Sequence, residues 1–149
     1  MSDPAVNTDH TIIAGYGIPG RAVAEALASL RQPYCIIELN PTTVHRCELG
    51  HVPIIEGDCT DPQVLKHAGI ERARACVIVI PDEKAALEAT SQARKLNPSV
   101  RIITRCHYTS TGITARARGA DEVIVAEQVV AAEASAKVSD IFRQSAPEK

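Results

Sequence analysis

Gly15-Tyr16-Gly17-Ile18-Pro19-Gly20 lies between the apolar run HTIIA and the helix-forming stretch RAVAEALASL. Glycines at this spacing, in a strand, turn and helix setting, are suited to holding a phosphate. The first permits the tight turn, the second lets backbone approach the anion, and the third lets the helix close on the strand. The helix start then presents amide donors to the anion. Glu38 ends the next apolar run, YCIIE, 18 residues past Gly20, where a carboxylate can accept from both ribose hydroxyls. The same charge repels a 2′-phosphate, so the pair favours an NAD-like or adenosine nucleotide over NADP. Gly57-Asp58 follows the run VPII; Asp58 can accept from an adenine amino group, and the Cys59 amide can donate to a ring nitrogen. The plainer reading of these residues is a tight turn, a solvated strand end and a helix cap.

Such groups need a scaffold, and the chain spells one out. From His10 onward, short apolar runs (HTIIA, YCIIE, VPII, ACVIVI, VRIITR, EVIVA) alternate with helical stretches at about 18–30, 41–50, 61–69, 82–96, 110–118 and 127–143. Runs as continuously apolar as 75–80 indicate a sheet buried on both faces. The expectation is therefore a single α/β domain with a Rossmann-like, doubly wound, six-stranded parallel sheet. Pro41 beside Thr42, Asp61-Pro62 and Pro81-Asp82 mark helix starts, and Gly50, Gly69 and Gly119 are expected as left-handed helix ends. The polar residues 1–9 read as a flexible leader, 10–143 as the domain and 144–149 as a flexible tail.

Composition narrows the classes of function. The 149 residues carry 16 Lys+Arg against 18 Asp+Glu, a net charge of -2 that gives no footprint for nucleic acid or an anionic membrane surface. No stretch reaches the length and apolarity of a membrane span. The core must be aliphatic, because only 3% of residues are aromatic and Trp is absent. The five cysteines are scattered without a C-x-x-C pair, as in a reducing compartment. Cys35, Cys76 and Cys106 fall within strands and are expected to be inert; Cys59 is the one with a chance of reactivity. His45, Cys47 and His51 do not converge on one helix face, so no metal site is expected, and they read as surface or partly packed residues. Arg105, His107 and Tyr108, at the end of the fifth strand, face either the ligand cleft or a partner. Arg72, Arg74, Arg116 and Arg118 read as solvated charges.

The chain resembles the nucleotide-binding lobe of RCK domains, also called KTN or TrkA-N domains, from His10 to about Ile141. The likeness is carried by GYGIPG with the acid of IIELN, by GDCTDPQVLKHAGIERARACVIVIPDE, by IITRCHY and by GADEVIVAEQVVAAEA. Within the family it is most similar to the cytoplasmic C-terminal domain of Kef-type monovalent cation:proton antiporters. The resemblance implies a regulatory domain without chemistry of its own, which binds AMP or NAD(H), with ADP and ATP also allowed. Binding would bias a potassium or cation transporter or channel at the inner face of the cell membrane. It further implies that Gly15, Tyr16, Gly17, Ile18, Pro19 and Gly20 form the phosphate loop and that Glu38 holds the ribose. Asp58 and Cys59 would take the adenine, with Leu39, Asn40, Ile80 and Pro81 flanking it. Family members commonly place Arg where this chain has Ile18, which lowers the expected preference for highly charged nucleotides unless Arg21 folds back over the loop. On this resemblance, residues 10–143 are expected to be the nucleotide lobe alone, without the family's smaller second lobe. Nucleotide lobes of the family pair through their final helices, so VVAAEASAKVSDIF is expected either to form a homodimer surface or to cover its own sheet.

Two other functions fit the same residues: a small NAD-dependent oxidoreductase, and an interaction module that nucleotide merely stabilises. The first needs a proton donor beside a substrate pocket, and the sequence offers no Tyr-x-x-x-Lys, P-loop, nucleophile elbow or H-E-x-x-H.

Overall fold

The computed structural model describes residues 8–144. Strands and helices alternate as β1 (Thr11–Ala14), α1 (Ile18–Ser29), β2 (Tyr34–Glu38), α2 (Pro41–Leu49), β3 (Ile54–Glu56), α3 (Pro62–His67), β4 (Ala75–Ile78), α4 (Glu83–Leu96), β5 (Arg101–Cys106), α5 (Thr109–Arg118), β6 (Glu122–Val125) and α6 (Ala126–Gln144). A 3-10 turn at Ile70–Arg72 follows α3. Every strand pair is parallel, and the order is β3-β2-β1-β4-β5-β6, the doubly wound sheet that the alternation predicts. The order reverses between β1 and β4, so the crevice for a ligand opens above their carboxyl ends.

Alternation of side chains sorts the strand residues into two layers. Ile12, Ile37, Ile78 and Ile102 point toward α3, α4 and α5, where Leu65, Ala86, Ala89 and Ala93 close on them. Ile13, Ile36, Val77 and Val79 point the other way, toward Ala24, Val23 and Leu27 of α1. Burying an isoleucine contributes about 2–3 kcal/mol. An exposed ion pair such as Arg74–Asp9 contributes at most about 1 kcal/mol, so the aliphatic layers dominate. The small alanines of α4 bring its backbone close to the sheet.

Burial falls off toward β6, whose outer-layer residues Glu122 and Ile124 are exposed beside half-buried Ile103 and Arg105. No residue of α6 is buried. Val129, Val130 and Val138 stand more than half exposed, so α6 does not cover its own sheet.

The amino edge of the sheet is sealed by polar side chains. Arg94 donates to the carbonyls of Gly119, Asn97, Pro98 and Val100 and to Asp121 Oδ2 at 2.9 Å. Asp121 also accepts from Ile102 N–H at 2.8 Å. Asn97 donates to Ile70 and Ala73 carbonyls and accepts from Ser99 and Val100 N–H. Buried His10 reaches the Ala68 carbonyl at 2.7 Å; because a carbonyl only accepts, Nε2 carries the proton. Its Nδ1 is the one buried side-chain polar atom without a partner among the described residues.

Several expectations change. Gly50 ends α2 at φ −87°, outside the left-handed region, and His51 takes that conformation instead at φ 58°. The cause is the closing turn, in which Val52 N–H reaches back to the Cys47 carbonyl at 2.9 Å and forces the reversal one residue later. Gly69 (φ 81°) and Gly119 (φ 123°) are left-handed as expected. Asn40, ahead of Pro41, caps α2 by accepting from Thr42 N–H at 2.9 Å. Cys47 is buried, while His45 and His51 are exposed. Residues 1–7 of the expected leader and 145–149 of the expected tail lie outside the described residues. Asp9 N–H bonds to the Arg72 carbonyl at 2.8 Å, so ordered contacts begin one residue before the expected start.

Candidate functional site

The carboxyl ends of β1 to β4 border a cleft of about 720 Å³. Of the residues singled out in the sequence, Gly15, Glu38, Leu39, Asn40, Asp58, Cys59, Ile80 and Pro81 line it together. Ile37, Pro41, Gly57, Asp82 and Ala85 line it as well. Asp82 is the addition that matters chemically. Its Oδ1 accepts from Ala85 N–H at 2.9 Å as the cap of α4, and its place after Pro81 at a strand's carboxyl end is the signal that marks it in the sequence.

Tyr16, Gly17, Ile18, Pro19 and Gly20 are not among the lining residues; Gly17 caps α1, and Ile18, Pro19 and Gly20 begin its first turn. Their glycines serve different needs. A Cβ on Gly20 would stand 2.0 Å from the Gly15 carbonyl oxygen, so glycine is what lets α1 close on β1. Gly15 sits at φ 103° with Ile80 Cγ2 3.0 Å from where a Cβ would be. Gly17 has neither constraint: its backbone is extended, and a Cβ there would meet only Pro19 Cδ at 3.9 Å. Ile18 is 88% exposed, and Pro19 has no N–H to offer. The Arg21 guanidinium turns back onto the Tyr16 ring, 5.3 Å from its centroid.

Glu38 ties the loop to the neighbouring strand. Its Oε2 accepts from Tyr16 N–H at 2.7 Å, and Oε1 accepts from the N–H groups of Leu39 and Asn40 at 3.1 and 3.0 Å. An ionised carboxylate offers about four acceptor positions, so Oε2 retains room for one further donor. Asp58 Oδ1 accepts from the N–H and the hydroxyl of Thr60 at 2.9 and 2.7 Å, leaving Oδ2 available to a donor. Burial, reinforced by the Asp58 charge, pushes the Cys59 thiol up to about 11. It is therefore protonated at neutral pH, which removes the reactivity allowed for it. The same cause raises Cys35 and Cys76 to about 12.

The lining carries three carboxylates, Glu38, Asp58 and Asp82, and neither lysine nor arginine. The chemistry on offer along this lining is acceptors for hydroxyl and amino groups. Of the fifth-strand residues, His107 reaches the cleft's lip, donating from Nε2 to the Pro81 carbonyl at 2.9 Å, while Tyr108 is 60% exposed.

The TrkA-N domain model matches residues 11–126. The chain belongs to the TrkA-N family. This TrkA-N domain is 37% identical, over 77% of its length, to a protein of Alkalimonas amylolytica named for the K(+) efflux antiporter KefB, and it spans 17% of that relative. It is 30% identical, over 78% of its length, to potassium channel protein 1 of Methanocaldococcus jannaschii, of which it spans 35%. Among solved structures, the TrkA-N domain of inner membrane protein ybaL from Escherichia coli superposes with a TM-score of 0.82 at 28% identity, covering 86% of this chain and 95% of that one. GsuK bound to ADP gives 0.71 at 28% identity, covering 85% and 33%. The Shewanella denitrificans Kef C-terminal domain in its AMP-bound form shares the fold, with a TM-score of 0.69 at 22% identity over 91% and 90% of the two chains.

Proposed function

We propose that this TrkA-N domain is a regulatory nucleotide sensor that takes AMP or NAD(H) in the β1–β4 cleft. Its occupancy biases a potassium or other monovalent-cation transporter at the cytoplasmic face of the cell membrane. Gly17 is the observation that carries the reading: neither backbone strain nor a neighbour in the chain calls for glycine there, which supports a phosphate lying against the open turn at the start of α1. The relatives named for K(+) efflux and potassium channels support the transporter. Among the described residues no helix is long and apolar enough to cross a membrane, so the transporting part is a separate segment or partner.

The acidic lining supports a ligand of low charge. Glu38 and Asp58 suit the ribose and adenine, and phosphate rests on the start of α1. With no lysine or arginine in the lining, each added phosphate gains repulsion from three carboxylates, which favours AMP or NAD(H) over ATP and disfavours NADP. A dehydrogenase needs a proton donor beside its cofactor, and His107, at the cleft's lip, has its Nε2 proton committed to the Pro81 carbonyl.

The bare outer layer at Ile103 and Ile124, with the exposed valines of α6, supports self-association through that helix. A dimer by sedimentation at tens of micromolar is the expected outcome. The function is tested by thermal shift with AMP, NAD+, NADH, ATP and NADP+. A ligand at one hundred times its Kd stabilises by about 2.7 kcal/mol. Selective stabilisation by AMP or NAD(H), abolished in Glu38→Ala, is expected; an unmoved midpoint sinks the proposal.

A further inference from the structure

His107, just past β5, makes three bonds in three directions. Its ring Nε2 donates to the Pro81 carbonyl at 2.9 Å. Its N–H donates to Oε2 of Glu83, the first residue of α4, at 2.7 Å. Its carbonyl accepts from Glu127 N–H, in the first turn of α6, at 3.2 Å. Gln128 Nε2 adds a bond to Thr109 Oγ1 at 2.9 Å. Pro81 and Asp82 are part of the cleft lining, while α6 buries none of its residues. Pro81 has no N–H, so its carbonyl is the one backbone hydrogen-bonding group of that residue. The start of α6 is thus fastened to residues 107–109, and those residues to the lip.

We propose that His107 is a positioning residue that couples the cleft to α6. A ligand that stiffens the lip at Pro81 and Asp82 holds the His107 ring, and the His107 carbonyl then holds the first turn of α6 in its bonded state. With the lip loose, that turn frays. Coupling of this kind needs no large displacement, only an end of a weakly buried helix whose order depends on one residue. The inference rests on the nucleotide reading of the cleft.

Amide hydrogen exchange of the whole chain with and without AMP tests it. In the wild type, AMP is expected to slow exchange at Asp82 and Glu83 and at residues 127–129 by at least about threefold. His107→Phe keeps ring bulk and loses the donor; it is expected to bind AMP within about threefold of wild type and to keep protection at Asp82 and Glu83, without the response at 127–129. His107→Gln, which keeps a donor, restores that response. Glu127→Pro, tolerated in a first helical turn, removes the same link from the α6 side and, read at residues 128 and 129 because proline has no amide proton, is expected to behave like His107→Phe, so the test survives if His107→Phe fails to fold. Protection of the cleft without any change at 127–129 in the wild type, or an unaltered α6 response in His107→Phe or Glu127→Pro, overturns the coupling alone. AMP that protects no residue of the wild type overturns the cleft reading, and the coupling with it.

Discussion

At the amino edge of the sheet, Arg94, Asn97 and Asp121 spend their hydrogen-bonding capacity on one another and on backbone groups of Gly119, Ile70 and Ile102. At the carboxyl edge, Glu38 and Asp58 each hold local N–H groups yet keep an oxygen able to take another donor, and Gly17 faces open space. Both edges carry carboxylates, but only the amino edge sets a guanidinium beside them. One is saturated and closes the fold; the other is left unsaturated, as a binding surface must be. GADE, which carries part of the family likeness, places Asp121 at this amino edge and not in the cleft lining.

Breaking the saturated edge should produce the largest effect. Arg94→Ala strands several carbonyls and the Asp121 carboxylate and is expected to cost about 3 kcal/mol in urea unfolding. AMP binding below the midpoint should stay within about twofold of wild type; a binding loss as large as the stability loss would merge the two edges into one unit. At the open edge, Glu38→Gln is expected to weaken AMP by roughly thirtyfold, about 2 kcal/mol, in calorimetry, because a charged acceptor is replaced by a neutral one.

Gly17→Ala sharpens the comparison. It should leave unfolding within about 0.5 kcal/mol of wild type yet weaken AMP about tenfold. Gly20→Ala, which drives a Cβ into the Gly15 carbonyl, should instead lower stability and binding together.

Acid should loosen the amino edge. Burial opposes ionisation of Asp121, but Ile102 N–H, Arg94 and Arg101 outweigh it and hold the carboxyl below its usual range. The folded value lies below the unfolded one, so the contribution is complete above the ordinary carboxylate range and is lost as pH falls through the depressed value. Glu83 is held low chiefly by His107 N–H and follows the same sign. Asp121→Asn should therefore flatten the acid limb of the stability curve. The smallest effect concerns Cys59: iodoacetamide at about pH 8 should label it negligibly in the native chain, and labelling at a free-thiol rate would show a cleft that opens more than this structure does.

Much of this was legible in the chain. The alternation of apolar runs and helical stretches predicts all six strands, and a run as continuous as 75–80 predicts the parallel sheet. Asp61 and Asp82 cap helices as their places beside proline suggest, each side chain accepting from a first-turn N–H. Gly50 misled because a helix can end on any residue when the reversal falls one position later, at His51. Asp82 and Ala85 escaped the sequence reading of the site because cap chemistry alone does not say which caps border a crevice. Cys59 looked available beside a turn, yet packing around it is what sets its thiol.

The sequence by itself determined the elements, their order and the glycine spacing, because these depend on steric and apolar patterns a few residues long. Only the tertiary structure decided which polar groups meet. Tyr16 N–H finds Glu38 across 22 residues and His107 finds Pro81 across 26. It also decided that α6 leaves its own sheet bare. Periodicity tells which face of an element is apolar, but what covers that face, and which edge keeps spare hydrogen-bonding capacity, is settled by how the layers pack.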